Sequence, residues 1–346
     1  MKLAGFPICS FLQTVRRTCR RSVFCAVSIA IFPGLFSFAG NLSAQNPTDD
    51  APWEARNVPW ATPYYTYEVQ SEIVYGQGEI NGGGSFKNLT LDLYIPDIPP
   101  PVNAVNKLSL MVMIHGGGFS GGSKANADIV RSAQDIAQRG WLVAAINYRL
   151  MDDNPIPSSR VQALYAAFGG ANAPLQIRTA VAAVDDTLTA LDFLQTRGDV
   201  YKPWTTLWGV SAGAYTSLIT AYCLDDYGIT RPPVAAVVNV AGGLGNCSIG
   251  TPFDDPTGSD PVLMVVHGTS DPTVPYSEAV AIQNWAISAG LPLDFQAVTG
   301  AGHVPSLYDY NAVQGVTLFQ RSVDFHHETV FAGLNQGPQL PLPPGC

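Results

Sequence analysis

No aspartate or glutamate occurs in the first 44 positions of this 346-residue chain, although Lys2, Arg16, Arg17, Arg20 and Arg21 do. An apolar stretch from Val23 to Phe38 and then Leu42-Ser43-Ala44 follow, an order that predicts an export signal over residues 1–44, cleaved near Ala44. Pro33 and Gly34 interrupt the stretch, so no stable membrane anchor is expected and the destination is secreted or periplasmic. Basic charge is scarce in the remainder: 13 Lys and Arg (18 less the five above) face 27 Asp and Glu. Such a balance excludes nucleic acid and anionic membrane as natural partners. Cys-x-x-Cys is absent, and so is any His/Cys cluster, so no metal is expected. No internal repeat interrupts the rest. Cys9, Cys19 and Cys25 fall in the leading segment, which leaves an odd set, Cys223, Cys247 and Cys346. Cys223–Cys247 is the expected bridge, and closing its loop of about 24 residues contributes roughly 3 kcal/mol on the chain-entropy view.

What is present is a rhythm of short apolar runs. Residues 45–88 predict an extended N-terminal lead-in, rich in Pro, Trp and Tyr at first and ending past an Asn81-Gly82-Gly83-Gly84 turn. Leu89 to Ile95 alternates like a half-exposed strand and stops at Pro96. The runs Leu108–Ile114, Trp141–Ile146, Thr205–Trp208, Val234–Val240 and Val262–Val266 are almost continuously apolar, as strands buried on both faces must be. Helical patterns end at Gly140 and near Gly198, and a last helix is expected from Ala312 to Phe331. Alternation of this kind predicts an α/β domain over residues 89–331, a mostly parallel central sheet with helices on both faces. Ligands then bind at the carboxyl ends of the strands. Residues 151–174 break the rhythm with Asn154-Pro155-Ile156-Pro157 and Phe168-Gly169-Gly170, and read either as a lid or pocket wall or as an irregular surface loop. A Pro-rich tail closes the chain at 332–346.

Two glycine motifs sit at predicted strand ends. Gly209-Val210-Ser211-Ala212-Gly213 has the G-x-S-x-G form of a nucleophile elbow, whose flanking glycines let strand and helix approach while the serine hydroxyl projects. His115-Gly116-Gly117-Gly118-Phe119 bares backbone N–H groups able to hold the oxygen of a tetrahedral intermediate. With 33 glycines the first motif alone is weakly specific; with five histidines the second is much rarer. A serine of this kind needs a base and an acid that orients it. His115 belongs to the glycine motif, His267 ends a strand, and His326 and His327 fall in the last helix, leaving His303 in Gly300-Ala301-Gly302-His303. Asp271 follows the Val262–Val266 strand, whereas Asp254, Asp255 and Asp260 precede it at the wrong end. The expected order is Ser211, Asp271, His303.

On these motifs, together with Leu91-Asp92-Leu93-Tyr94-Ile95-Pro96 and Asn147-Tyr148-Arg149-Leu150, the chain resembles the α/β-hydrolase superfamily, specifically carboxylesterases and lipases with an H-G-G-G motif. The resemblance implies an α/β-hydrolase fold and an oxyanion hole of Gly117, Gly118 and Ala212. The acid loop, His267-Gly268-Thr269-Ser270-Asp271, looks more like that of secreted acetylxylan and feruloyl esterases and prolyl-oligopeptidase-like enzymes than that of the hormone-sensitive-lipase branch. The reading it supports is a secreted serine esterase without cofactor, acting on a small-molecule or polymer-linked ester. A prolyl-oligopeptidase-like peptidase and a non-catalytic binding protein of esterase fold are the alternatives. Phe119, Tyr148, Tyr165, Phe168 and Tyr215 fall on or beside the loops facing Ser211, either as an apolar pocket or as core, with core expected for Tyr215.

Overall fold

Alternation along single strands explains why the apolar runs are continuous. In the strand Leu108–Ile114, Leu108, Leu110, Val112 and Ile114 enter one core layer and Met111 and Met113 the other. The same division recurs at Leu263 and Val265 against Met264 and Val266. Both faces of the sheet are therefore dry along its central strands, where every position must be apolar or hydrogen-bonded.

The computed structural model describes residues 63–98, 107–244 and 260–330. The predicted export signal, the 332–346 tail, Asp254, Asp255, Cys247 and Cys346 lie outside them. Eight strands run β1 (Tyr67–Ile80), β2 (Ser85–Pro96), β3 (Leu108–Ile114), β4 (Leu142–Ile146), β5 (Val200–Val210), β6 (Ala236–Val240), β7 (Val262–Gly268) and β8 (Leu293–Val298). Their order in the sheet is β1-β2-β4-β3-β5-β6-β7-β8. β2 pairs antiparallel with β1 and β4, and every other pairing is parallel. Among the described residues six α-helices accompany them: α1 (Ala127–Ala137), α2 (Gln162–Ala167), α3 (Leu175–Gln195), α4 (Ala212–Tyr222), α5 (Tyr276–Ala289) and α6 (Leu318–Val330). Buried residues of α2, α3, α4 and α5 join one core layer and those of α1 and α6 the other, so helices cover both faces as the rhythm predicts. Among the described residues no helix is long and apolar enough to cross a membrane.

Two expectations are corrected. The lead-in assigned to residues 45–88 becomes from Tyr67 onward a fourteen-residue strand, β1, joined to β2 through the predicted turn at Asn81. Register shifts between Gln70 and Ile73 and between Val74 and Gly76 break the period-two pattern, which hid the strand from a periodicity reading. The last helix begins at Leu318 rather than Ala312. Before it the chain turns, Gly315 N donating to Ala312 O with Gly315 at φ 83° and Asn311 bridging to Thr317. Helix α5 was not anticipated; it buries only Ala279, Ile282 and Ala286 and leaves Ile287 68% exposed, a stripe too narrow to show as a period.

Candidate active site

Four connections at the carboxyl ends of the parallel strands converge on Ser211. The serine lies between the last residue of β5 and the first of α4, at φ 52° and ψ −115°, a conformation that a non-glycine residue holds only where the surroundings impose it. They do so by close approach. A Cβ on Gly209 would collide with the carbonyl of Gly213, and one on Gly213 with the carbonyl of Ile114 at the end of β3. The elbow therefore fits only with glycine at both positions, as its sequence form implies.

The Oγ of Ser211 lies 2.8 Å from Nε2 of His303, and Nδ1 of His303 lies 2.8 Å from Oδ2 of Asp271. The structure thus brings together the three residues picked from the sequence. Asp271 stands in the turn after β7, and its Oδ1 accepts from the backbone N–H groups of Thr273 at 2.8 Å and Val274 at 2.9 Å. Burial works to raise its carboxyl pKa, but the bond to His303 and these two N–H groups outweigh it and hold the pKa below the ordinary aspartate value. His303 hangs from the loop after β8. That loop is stitched to the acid loop: Thr269 N donates to Val298 O, Ser270 N to Ala301 O and Gly300 N to Thr269 Oγ1. Gly268 has no room for a Cβ against the carbonyls of Ala301 and Gly302, so acid and base are carried on one welded pair of loops.

The other glycine motif is held by its carbonyls. His115 O accepts from Tyr148 Oη at 3.0 Å, Gly117 O from the N–H groups of Ser120 and Gly121 at 3.1 Å, Gly118 O from Gln176 Nε2 at 3.1 Å and Phe119 O from Met151 N at 2.9 Å. The N–H groups of Gly117, Gly118 and Ala212 have no acceptor among the described residues. Gly117 sits at φ 126° and Gly118 at φ 63°, left-handed conformations that turn successive peptides. A Cβ on Gly116 would stand 3.1 Å from Cβ of Ser211, so the loop lies directly against the elbow.

Of the five aromatics, two are accounted for as support. Tyr148 stacks on the buried imidazole of His115, with ring centroids 4.3 Å apart, and Phe119 meets Tyr148 edge-on at 6.2 Å. Burial holds His115 below the ordinary imidazole pKa, which fits a neutral packing partner. Tyr165 is buried in the same core layer, against which Phe168 and Tyr215 pack half-buried. Burial, then the carboxylates of Glu278 and Asp271, push the Tyr215 phenol upward.

Sequence reading missed the anchor of residues 151–174. Arg149 is buried and donates through Nε and Nη2 to Asp186, through Nη2 to Asp185, and through Nη1 to the carbonyls of Glu79 and Ile156. Asp185 in turn accepts from Ser158 N and Oγ. Asp185-Asp186 in the middle of the apolar stripe of α3 was the available signal, since adjacent buried acids require a cation.

The chain has the α/β-hydrolase fold. A solved α/β hydrolase enzyme, MGS-M1 from a Medee basin deep-sea metagenome library, is 18% identical over 79% of this chain and 100% of its own, with a TM-score of 0.50. A truncated carbohydrate esterase from gut microbiota is 18% identical over 77% of this chain and 97% of that one, TM-score 0.51. Esterase 2 of Thermogutta terrifontis, solved phosphorylated by paraoxon, is 18% identical over 77% and 94%, TM-score 0.50. The BD-FAE family model matches residues 91–168, from β2 through the H-G-G-G loop into α2 and just beyond. No curated protein matches the chain. Within this fold the elbow, the acid loop and the histidine loop stand in the chain order Ser, Asp, His.

Proposed function

We propose that this chain is an exported serine carboxylic-ester hydrolase acting through an acyl-enzyme. The observation that carries the reading is the continuous hydrogen-bonded line from Ser211 Oγ through the imidazole of His303 to Asp271, beside backbone N–H groups without acceptors. Nε2 of His303 takes the proton of Ser211 as Oγ attacks the ester carbonyl, and Asp271 orients the ring and stabilises the imidazolium. Gly117, Gly118 and Ala212 donate to the oxyanion, a preorganised site that needs no rearrangement as charge develops. Collapse passes the proton from His303 to the leaving alcohol and leaves the acyl group on Ser211. Water, activated by the same imidazole, then releases the acid. Export rests on the basic and then apolar composition of residues 1–44. The substrate class proposed is short acyl or polysaccharide-linked esters, a reading supported by similarity to a carbohydrate esterase and by the BD-FAE match.

The test is labelling by a fluorophosphonate, prompted by the paraoxon adduct of the similar esterase, together with turnover of p-nitrophenyl acetate against a peptide p-nitroanilide. Ester turnover and labelling lost together in Ser211→Ala support the proposal; preference for the anilide favours a peptidase, and a folded wild type inert to both favours a binding protein. A Ser211→Ala variant keeping more than roughly a hundredth of wild-type kcat removes the serine assignment.

A further inference from the structure

Asp271 is approached by two histidines. His267, at the end of β7, is completely buried, and its Nε2 lies 3.0 Å from the carbonyl oxygen of Val274 and 3.4 Å from Oδ2 of Asp271. A carbonyl can only accept, so Nε2 carries a hydrogen. That hydrogen goes to Val274 O, and the carboxylate oxygen that also receives His303 stands beside the same ring nitrogen as a close electrostatic neighbour. Nδ1 of His267 is buried without a partner, so the ring is held by its Nε2 side and by packing, which includes Tyr276 with ring centroids 6.1 Å away.

We infer that His267 is a positioning residue for the acid of the site, a deepening that rests on the esterase reading above. Its bond to Val274 O fixes the turn whose N–H groups, on Thr273 and Val274, hold Oδ1 of Asp271. Its second approach, to Oδ2, resists rotation of the carboxylate away from Nδ1 of His303. The side chains of both His267 and Asp271 are fully buried, so no water replaces the lost donor when the imidazole is removed.

The glutamine amide places its nitrogen where Nε2 of histidine lies, phenylalanine fills the space without a donor, and asparagine is too short to reach Val274 O. His267→Phe is expected to lower kcat by about tenfold or more with KM within about twofold, and His267→Gln to recover most of the loss. The acid limb of the rate profile should move to lower pH in His267→Phe, because a loosened Asp271 stabilises the imidazolium less. In an Asp271→Asn background His267→Phe should have almost no further effect, since it acts through that carboxylate. The downfield proton resonance of the His303 Nδ1–H bond should broaden or shift upfield in His267→Phe and return in His267→Gln. This readout needs no substrate, so it tests the positioning role even if Ser211→Ala has already overturned the esterase reading. Where His267→Phe fails to fold, His267→Asn against His267→Gln makes the same comparison. Equal activity and equal proton spectra for the glutamine and phenylalanine (or asparagine) variants, or full additivity with Asp271→Asn, overturn the inference.

Discussion

The Oγ of Ser211 and Nε2 of His303 lie 2.8 Å apart although 92 positions separate them in the chain. No local interaction sets that distance. It follows from a strained elbow on β5 at one end and a histidine loop tied to the acid loop at the other. Rate is therefore expected to be sensitive to changes that leave both residues in place and alter only what holds them.

Asp271→Asn is the sharpest such change, because it keeps side-chain size while presenting a donor to Nδ1 of His303. The wrong imidazole tautomer follows, and kcat should fall on the order of 10³ to 10⁴. Asp260→Asn is the paired control: it precedes β7, at the end of that strand opposite Asp271, and should change kcat by less than twofold. Near-ultraviolet circular dichroism establishes that each variant is folded. An inactive Asp260→Asn enzyme, or an active Asp271→Asn one, would move the acid elsewhere.

Gly117→Ala tests the oxyanion loop without touching the Ser-His-Asp line. Its φ of 126° is hostile to a side chain, and a Cβ there would run into the carbonyl of Gly121. The loop must shift, taking the N–H groups of Gly117 and Gly118 with it. A loss of about 10² to 10³ in kcat is expected, with fluorophosphonate labelling slowed and Tm lowered by the strain of the displaced loop. Wild-type kcat in a folded variant would remove these two N–H groups from the mechanism.

The parts of this site legible in the sequence are those with rigid local requirements. Gly209, Ser211 and Gly213 announce the elbow because only glycine clears the neighbouring carbonyls, and His303 emerges once the other histidines have structural places. Buried strands were legible because two dry faces leave few polar positions, such as Thr206 and Asn239, and each of these needs a hydrogen-bond partner. What escaped depends on long-range pairing. β1 is held to β2 across bulges that erase its periodicity, and His267 looks like a strand end until the turn at Val274 folds back on it. The Cys223–Cys247 expectation involves a residue outside those described; Cys223 itself is buried.

Arg149→Lys should destabilise strongly despite conserving charge. Lysine cannot reproduce a planar fork that serves Asp186, Asp185 and two backbone carbonyls together. Leaving buried carbonyls and carboxylate oxygens short of their donors costs about 1 to 3 kcal/mol for each group, read as a lower urea midpoint. Because Arg149 and Asp185 hold Ile156 and Ser158, limited proteolysis should cut first between residues 151 and 174. A variant with wild-type midpoint and no new cleavage would show that the cluster is not the anchor.

The two histidines of α6 should make the fold acid-sensitive from about pH 6.5 downward, before most carboxylates begin to titrate. His326 is fully buried against Trp141, with ring centroids 4.0 Å apart, and its Nδ1 lies 2.7 Å from Thr206 Oγ1. Burial, aided by the neighbouring His327, holds its pKa well below the ordinary 6.5. Burial brings His327 down to about 4, against a smaller opposing pull from Glu328. Both folded values lie below the unfolded one, so above pH 6.5 neither state binds these protons and stability is full. As pH falls from 6.5 toward 4 the unfolded chain takes up protons that the folded chain refuses, and stability is lost. Each histidine adds a slope of up to about 1.4 kcal/mol per pH unit in that window. Urea midpoints measured across it should therefore give a shallower pH dependence for His327→Gln and a still shallower one for the double His326→Gln/His327→Gln variant, whatever each substitution does to stability at neutral pH. Three curves of the same slope would mean that other groups drive the acid transition.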